Sequence, residues 1–332
     1  MLNHFHNDLP DRHAGHATLL AQRDAIAAQL IFGGYGDVAQ QAGQWPTLWL
    51  KGDGCPSDQP PAVQSFVLPQ TDVQRVLLDG HVIGSRWSDE DADYCLLAGI
   101  SPQNGAVSRA DQTTSCLQQM ERGLEAADMD FSYLVRTWFY LDHLLDWYSE
   151  FNAARTAFFE QKGVFERLIP ASTGIGAGNI AGMALAAGAL AIRKKHDGVR
   201  IEEVASPLQC PATAYRSSFS RAVEIALTGR RYLTISGTAS IAPEGHTLYV
   251  GDHEKQIQLT LDVVEAILHS RRMKWQDTVR AVGYFCEMGD LSLFERICAQ
   301  RGIPPLPILP VQATVCRDDL LFEMELDALA TS

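Results

Sequence analysis

Residues 112–141 and 256–285 repeat one another without a gap at an offset of 144. Gln112 meets Gln256, Leu117 meets Leu261, Leu124 meets Leu268 and Met129 meets Met273, and Val135, Arg136 and Tyr140 meet Val279, Arg280 and Tyr284. Self-similarity at a fixed offset means that one folding unit is built twice, which removes most alternative architectures. Each copy also reads alike physically. Leu117, Met120, Leu124 and Ala127 recur at the +3/+4 spacing that lines one face of a helix, as do Ile257, Leu261, Val264 and Leu268. A short polar turn leads into an alternating stretch, in which Val135, Thr137, Phe139 and Leu141 face one way and Arg136, Trp138 and Tyr140 the other.

A strand ending in glycine precedes each helix: Cys95-Leu-Leu-Ala-Gly-Ile-Ser101 in the first copy and Tyr232-Leu-Thr-Ile-Ser-Gly-Thr-Ala-Ser240 in the second. A second helix and a closing strand follow, the latter being Leu320-Leu-Phe-Glu-Met-Glu-Leu326 in the second copy. The expectation is an α+β chain of two tandem halves, each a mixed sheet with helices packed on one face. The linker falls between His196 and Pro211. The expected organisation is an N-terminal extension over 1–45, a first half over 46–197 and a second over 198–332. The extension reads as helical. Its His4, His6, His13 and His16 have no acidic or cysteine companions, so a solvated segment is expected there rather than a metal site.

Bulk properties narrow the function. The longest small-apolar stretch, Ile180 to Ile192, is broken by Gly182 and Gly188 and falls short of a membrane span. The first residues lack a signal peptide's basic start and apolar run, so a cytoplasmic protein is expected. Seven scattered cysteines without a Cys-x-x-Cys pair argue against a disulfide framework and a structural zinc site. A formal net charge of −13 disfavours nucleic acid but permits a small anionic substrate, since a few pocket arginines act locally.

Two resemblances follow. The second copy resembles the YjgF-type reactive-intermediate deaminases in Ile235-Ser236-Gly237, the helix starting near Gln256, the strand Thr278 to Phe285, and the closing Leu-Phe-Glu-Met-Glu. It departs from them in Leu306-Pro-Ile-Leu-Pro-Val-Gln312, which lacks the arginine that holds their substrate's carboxylate. From about residue 45 onward the chain resembles the chorismatases, which are built from two such halves. The carrying segments are Arg136-Thr-Trp-Phe-Tyr-Leu141, Trp147 to Phe159, and Pro170-Ala-Ser-Thr-Gly-Ile-Gly176. Ser218-Phe-Ser-Arg-Ala222, Ser236-Gly-Thr-Ala-Ser-Ile241 and Val315 to Glu323 add to them.

That resemblance implies cleavage of the enolpyruvyl ether of chorismate, without metal or organic cofactor, at a site between two YjgF/chorismate-mutase-like halves. Glu323 matches the family's catalytic glutamate, the acid that protonates the ether's methylene carbon. Nearby Phe219 and Tyr215 are expected to raise its pKa. Leu321, Glu323, Glu325 and Asp327 share one strand face, and Glu325 and Asp327 are expected to be solvated. Arg136, Arg155 and Arg221 are expected to hold the substrate's two carboxylates. Tyr140 joins Arg136 on its strand face, and Tyr215 and Ser220 are candidate hydrogen-bond donors. Arg280 is expected to be structural. Thr173, Gly174 and Gly176 are read as a tight turn whose backbone N–H groups approach the substrate.

By the same resemblance, Cys316 and Ala239 match product-determining positions. Cysteine implies the hydroxybenzoate-forming branches, whereas alanine at 239 is shared with the hydrolytic branch that gives a dihydroxycyclohexadiene acid. The expected products are pyruvate and 3-hydroxybenzoate, with 4-hydroxybenzoate as a second ring product, from a monomer or small homo-oligomer. A chorismate hydrolase is the first alternative. An imine deaminase and a non-catalytic ligand-binding module are the others.

Overall fold

The computed structural model describes residues 4–8, 26–33, 44–51, 62–68, 71–215 and 217–331. Four N-terminal strands come first: β1 (His4–Asp8), β2 (Ile26–Phe32), β3 (Thr47–Lys51) and β4 (Ala62–Val67). With the two-residue β10 (Gly178–Asn179) they form a sheet of order β1-β4-β2-β3-β10. The helical reading of the first 45 residues is therefore corrected for 4–8 and 26–32. Ile-Ala-Ala-Gln-Leu-Ile-Phe is buried at every position, and a continuously apolar run carries no period that separates strand from helix. His13 and His16 lie outside the described residues.

The two repeats each build a six-stranded sheet. The first has β5 (Gln74–Leu78), β6 (His81–Ser88), β7 (Ala92–Ile100), β8 (Leu134–Leu141), β9 (Ala171–Gly176) and β11 (Leu185–Lys194), in the order β5-β6-β7-β11-β8-β9. The second has β12 (Arg200–Val204), β13 (Ala222–Leu227), β14 (Arg230–Ala239), β15 (Thr278–Phe285), β16 (Ile308–Gln312) and β17 (Phe322–Thr331), in the order β12-β13-β14-β17-β15-β16. The order is the same strand for strand, with a parallel final pair in both, β8 with β9 and β15 with β16. Helices α1 (Arg109–Glu125) and α2 (Tyr148–Gln161) serve the first sheet, and α3 (His253–Ser270) and α4 (Leu291–Gln300) the second.

The repeated residues do repeated jobs. Gln112 accepts from the Ala184 N–H just before β11, and Gln256 accepts from the Leu321 N–H just before β17, so each ties its helix to its closing strand. Asp128 and Arg272, which end the turns after α1 and α3, both take a left-handed backbone (φ 58° and 56°). The Met129 and Met273 N–H groups then bond Leu124 and Leu268 carbonyls. Leu117, Leu124, Leu261 and Leu268 are wholly buried beneath their sheets, as the +3/+4 spacing requires.

Three cores result. One lies under α1 and α2 and another under α3 and α4. The third fills the space where the helix-free faces of all three sheets meet, and it includes Phe32, Phe66, Trp138, Tyr140, Tyr232 and Tyr284. In that seam the Tyr140 and Tyr284 hydroxyls bond each other at 3.0 Å, 144 residues apart. Among the described residues no helix is long and apolar enough to cross a membrane.

Candidate active site

A cavity of about 820 Å³ opens between the halves. Tyr148 to Glu160 of α2 form one wall, with Ser172 and Gly174 of β9 behind them. Gly237 and Ala239 of β14, the segment Thr213 to Arg221, Cys316, Arg317 and Glu323 form the other. The volume lies in the range of small-molecule sites.

Alternation along β17 decides what enters it. Phe322, Met324 and Leu326 point under the helices of the second half, so Glu323, Glu325 and Asp327 point into the seam. Glu323 is 4% exposed, at the cavity's inner end. Burial first, and then the charge of Glu325, push its pKa from 4.5 up to about 8, against the opposing pull of Arg136 and Arg221. It is therefore a carboxylic acid with a proton to donate near neutral pH.

Gly237 is what makes room for this carboxyl. The β14–β17 register shifts between Ile235 and Thr238, a bulge that turns the Gly237 backbone towards the other half. Its N–H donates to Thr173 Oγ1 at 3.1 Å, and a Cβ added at this position would overlap the Glu323 carboxyl. A glycine packed so closely on a candidate acid was detectable in the Ser-Gly-Thr-Ala-Ser string only as a bulge signal.

Two of the expected carboxylate anchors line the cavity. Arg155 lies over the rings of Phe151 (5.0 Å) and Phe139 (5.7 Å), and its Nη2 donates to Asn152 Oδ1 at 2.7 Å. Arg221 packs over Phe219 at 5.7 Å and donates Nε and Nη2 to the Cys210 carbonyl at 3.0 and 2.9 Å. Arg317, which the sequence reading passed over, brings a third guanidinium to the wall beside Cys316. Thr156 and Ser218 add a hydroxyl pair across the two halves at 2.6 Å.

Arg136 and Tyr140 require correction. Neither lines the cavity. Arg136 is 1% exposed and donates Nη2 to Glu325 Oε2 at 2.8 Å and to Thr173 Oγ1 at 2.6 Å, while Tyr140 is engaged with Tyr284. Glu325 and Asp327 are not solvated either, being 0% and 2% exposed. Arg280 binds Glu325, and it reaches Asp327 at 3.3 Å and Gln64 at 2.5 Å. An alternating strand shows which residues share a face but not whether water or protein covers it.

The glycine segment differs as well. It is strand β9 rather than a tight turn, and only Gly174, under the Tyr148 ring, borders the cavity. Gly176 N–H is bonded to the Thr314 carbonyl, and Thr173 serves Arg136 and Gly237. Ser220 bonds the Ala222 and Pro170 carbonyls, away from the cavity. Phe219, Ala239 and Cys316 do line it. Burial, and then Glu323, push the Cys316 thiol up to about 12, so it is a neutral wall group rather than a thiolate. Tyr215 belongs to the 3-10 turn Ala212–Tyr215, and its side chain lies outside the described residues.

With this geometry established, comparison with known proteins is informative. A chorismatase from Streptomyces hygroscopicus is 27% identical over 281 residues, covering 76% of each chain. A 3-hydroxybenzoate synthase from the same organism is 28% identical over 265 residues, covering 71% of this chain and 74% of its own. A chorismatase crystal structure superposes over 98% of both chains with a TM-score of 0.70 at 19% identity. The chain is similar to the chorismatases in sequence and in fold. The superposition takes in the N-terminal sheet as well as the two halves. No protein-family model matches the chain.

Proposed function

We propose that this protein cleaves chorismate to pyruvate and 3-hydroxybenzoate, with 4-hydroxybenzoate as a second ring product. The observation that carries the reading is a buried carboxylic acid, Glu323, held protonated at the end of a cavity that also presents Arg155, Arg221 and Arg317. The two named relatives support the same chemistry.

The residues divide the work as follows. Arg155 and Arg221 bind the substrate's two carboxylates as charged, directional donors, with the phenyl rings beneath them shielding those bonds from water. Glu323 protonates the terminal methylene carbon, leaving an oxocarbenium centre. The ring C–O bond then breaks and its electron pair becomes the keto group of pyruvate. The ring loses one proton to the Glu323 carboxylate as it becomes aromatic. If the remaining hydroxyl stays in place, 4-hydroxybenzoate forms; if its oxygen closes onto the vacated carbon first, 3-hydroxybenzoate forms. Pyruvate and either hydroxybenzoate together are an isomer of chorismate, so no water is consumed. The enzyme works in the cytoplasm as a monomer or small homo-oligomer, without metal or organic cofactor.

Water at the oxocarbenium would instead give the dihydroxydiene, so wall volume near that carbon selects the branch. Cys316 and Ala239 both pack against the small cluster of Ile241, Val315 and Leu320 beside Glu323. Incubation of purified protein with chorismate, followed by pyruvate assay and chromatography, is the test. The expected result is pyruvate with 3-hydroxybenzoate as the main ring product. Absence of pyruvate overturns the reading, and diene alone overturns the branch. Cys316→Ala is expected to shift product towards diene with turnover retained.

A further inference from the structure

We infer that Glu325, clamped between Arg136 and Arg280, is a positioning residue that keeps Glu323 supplied with its proton. The inference rests on the assignment of Glu323 as the acid. Glu325 lies two residues along the same face of β17, about 7 Å away at strand spacing. It is completely buried, and the two arginines that hold it come from equivalent places in the two halves. Its carboxyl also accepts from Trp138 Nε1 at 3.1 Å. Burial alone would raise its own pKa, but Arg280 and Arg136 beside it hold it below the ordinary carboxylate range. A fixed negative charge therefore sits next to the acid throughout the working pH range, and like charge disfavours ionisation of Glu323.

The groups facing Glu323 make the balance explicit. From its own strand comes Glu325, and from β8 comes Arg136. From the segment before β13 comes Arg221, and from the β15 side and the loop before β17 come the neutral thiols of Cys286 and Cys316. β14 contributes Gly237 and Ala239, which carry no charge. Among the described residues Glu325 is thus the anion that offsets the two arginines. Without it, Arg136 would face Glu323 with no counter-charge between them and draw the proton off. Thr173 fixes the spacing, because its one hydroxyl takes the Arg136 guanidinium and the Gly237 N–H that backs the acid.

The test is the pH dependence of kcat/KM with chorismate, which reports the free protein's ionisations. The wild type should lose activity as pH rises through about 8. Glu325→Gln should move that alkaline limb down by at least one pH unit, leaving roughly a tenth of its plateau rate at pH 8, and Glu325→Asp should restore most of it. Arg136→Gln should move the limb upward, and Asp327→Asn, at the far end of the network, should move it down by less than Glu325→Gln does. Opposite displacements are not produced by general structural damage. Should Glu325→Gln not fold, Arg136→Gln and Asp327→Asn decide the matter. Limbs that stay at the wild-type position overturn the inference. A wild type with no limb near pH 8, or a Glu323→Gln variant that retains turnover, overturns the assignment of Glu323 itself.

Discussion

The two closing strands, β11 and β17, occupy the same place in sheets of the same order, yet carry opposite chemistry. Pairing with β8 and β15 defines the equivalence: Tyr140 faces Ala186 where Tyr284 faces Glu323, Trp138 faces Gly188 where Val282 faces Glu325, and Arg136 faces Leu190 where Arg280 faces Asp327. The first half thus has small or apolar residues at the three positions where the second half has acids. Both halves nonetheless keep the arginine, and both arginines bind Glu325. Duplication supplied the cations twice, while one strand alone supplies the anions. At these three positions the acids come from one half only.

The comparison is broken most decisively at Glu323. Glu323→Gln should lower kcat by roughly 10²–10⁴-fold while substrate binding persists, measured by pyruvate release and by ligand titration. The same variant reports on pH. A carboxyl whose folded pKa is raised from 4.5 to about 8 weakens the fold as pH climbs from about 4.5 to about 8, because the unfolded chain releases that proton first. The stability of Glu323→Gln relative to wild type should therefore increase across that window in denaturant titrations.

The shared arginines are the next test. Arg136→Ala and Arg280→Ala should each destabilise the protein by about 3–5 kcal/mol, since either leaves a buried carboxylate short of its partner. Equal losses from the two halves would confirm one network. A rise in KM alone for Arg136→Ala, with stability intact, would return that residue to substrate binding. Arg155→Ala and Arg221→Ala should instead weaken binding by about 1.5–3 kcal/mol each, read from KM. The smallest effect belongs to Gly188→Ala, the counterpart of Glu325. An added methyl there meets the Leu97 carbonyl at 3.0 Å, so stability should fall by about 1 kcal/mol with turnover unchanged.

What the sequence revealed follows the same division. The halves were legible because helix and strand periods repeat at one offset, and the strings that resemble a known family pointed to Glu323, which does line the cavity. The seam was not. Arg136 and Tyr140 were read as substrate contacts and Glu325 and Asp327 as solvated, because face-sharing is local whereas burial is set by a partner far along the chain. A clue was present: Arg136 and Tyr140 are identical in both copies, as residues meeting across an internal symmetry would be, whereas a single asymmetric substrate touches the two halves differently. Gly237, Arg317 and the Thr156–Ser218 pair had no such marker, since their importance comes only from the packing of one half on the other.

The tyrosine pair that closes the seam has a consequence for how the enzyme comes into being. Contacts between residues 144 apart form late, after local helices and hairpins are in place. Without the other half packed against it, Glu323 would lose part of the burial that raises its pKa. On the proposed assignment of Glu323, a chain whose halves have not yet docked would lack its acid. Reactivity switches on with assembly, so recovery of pyruvate release during refolding is a clock for docking and should lag the return of secondary structure.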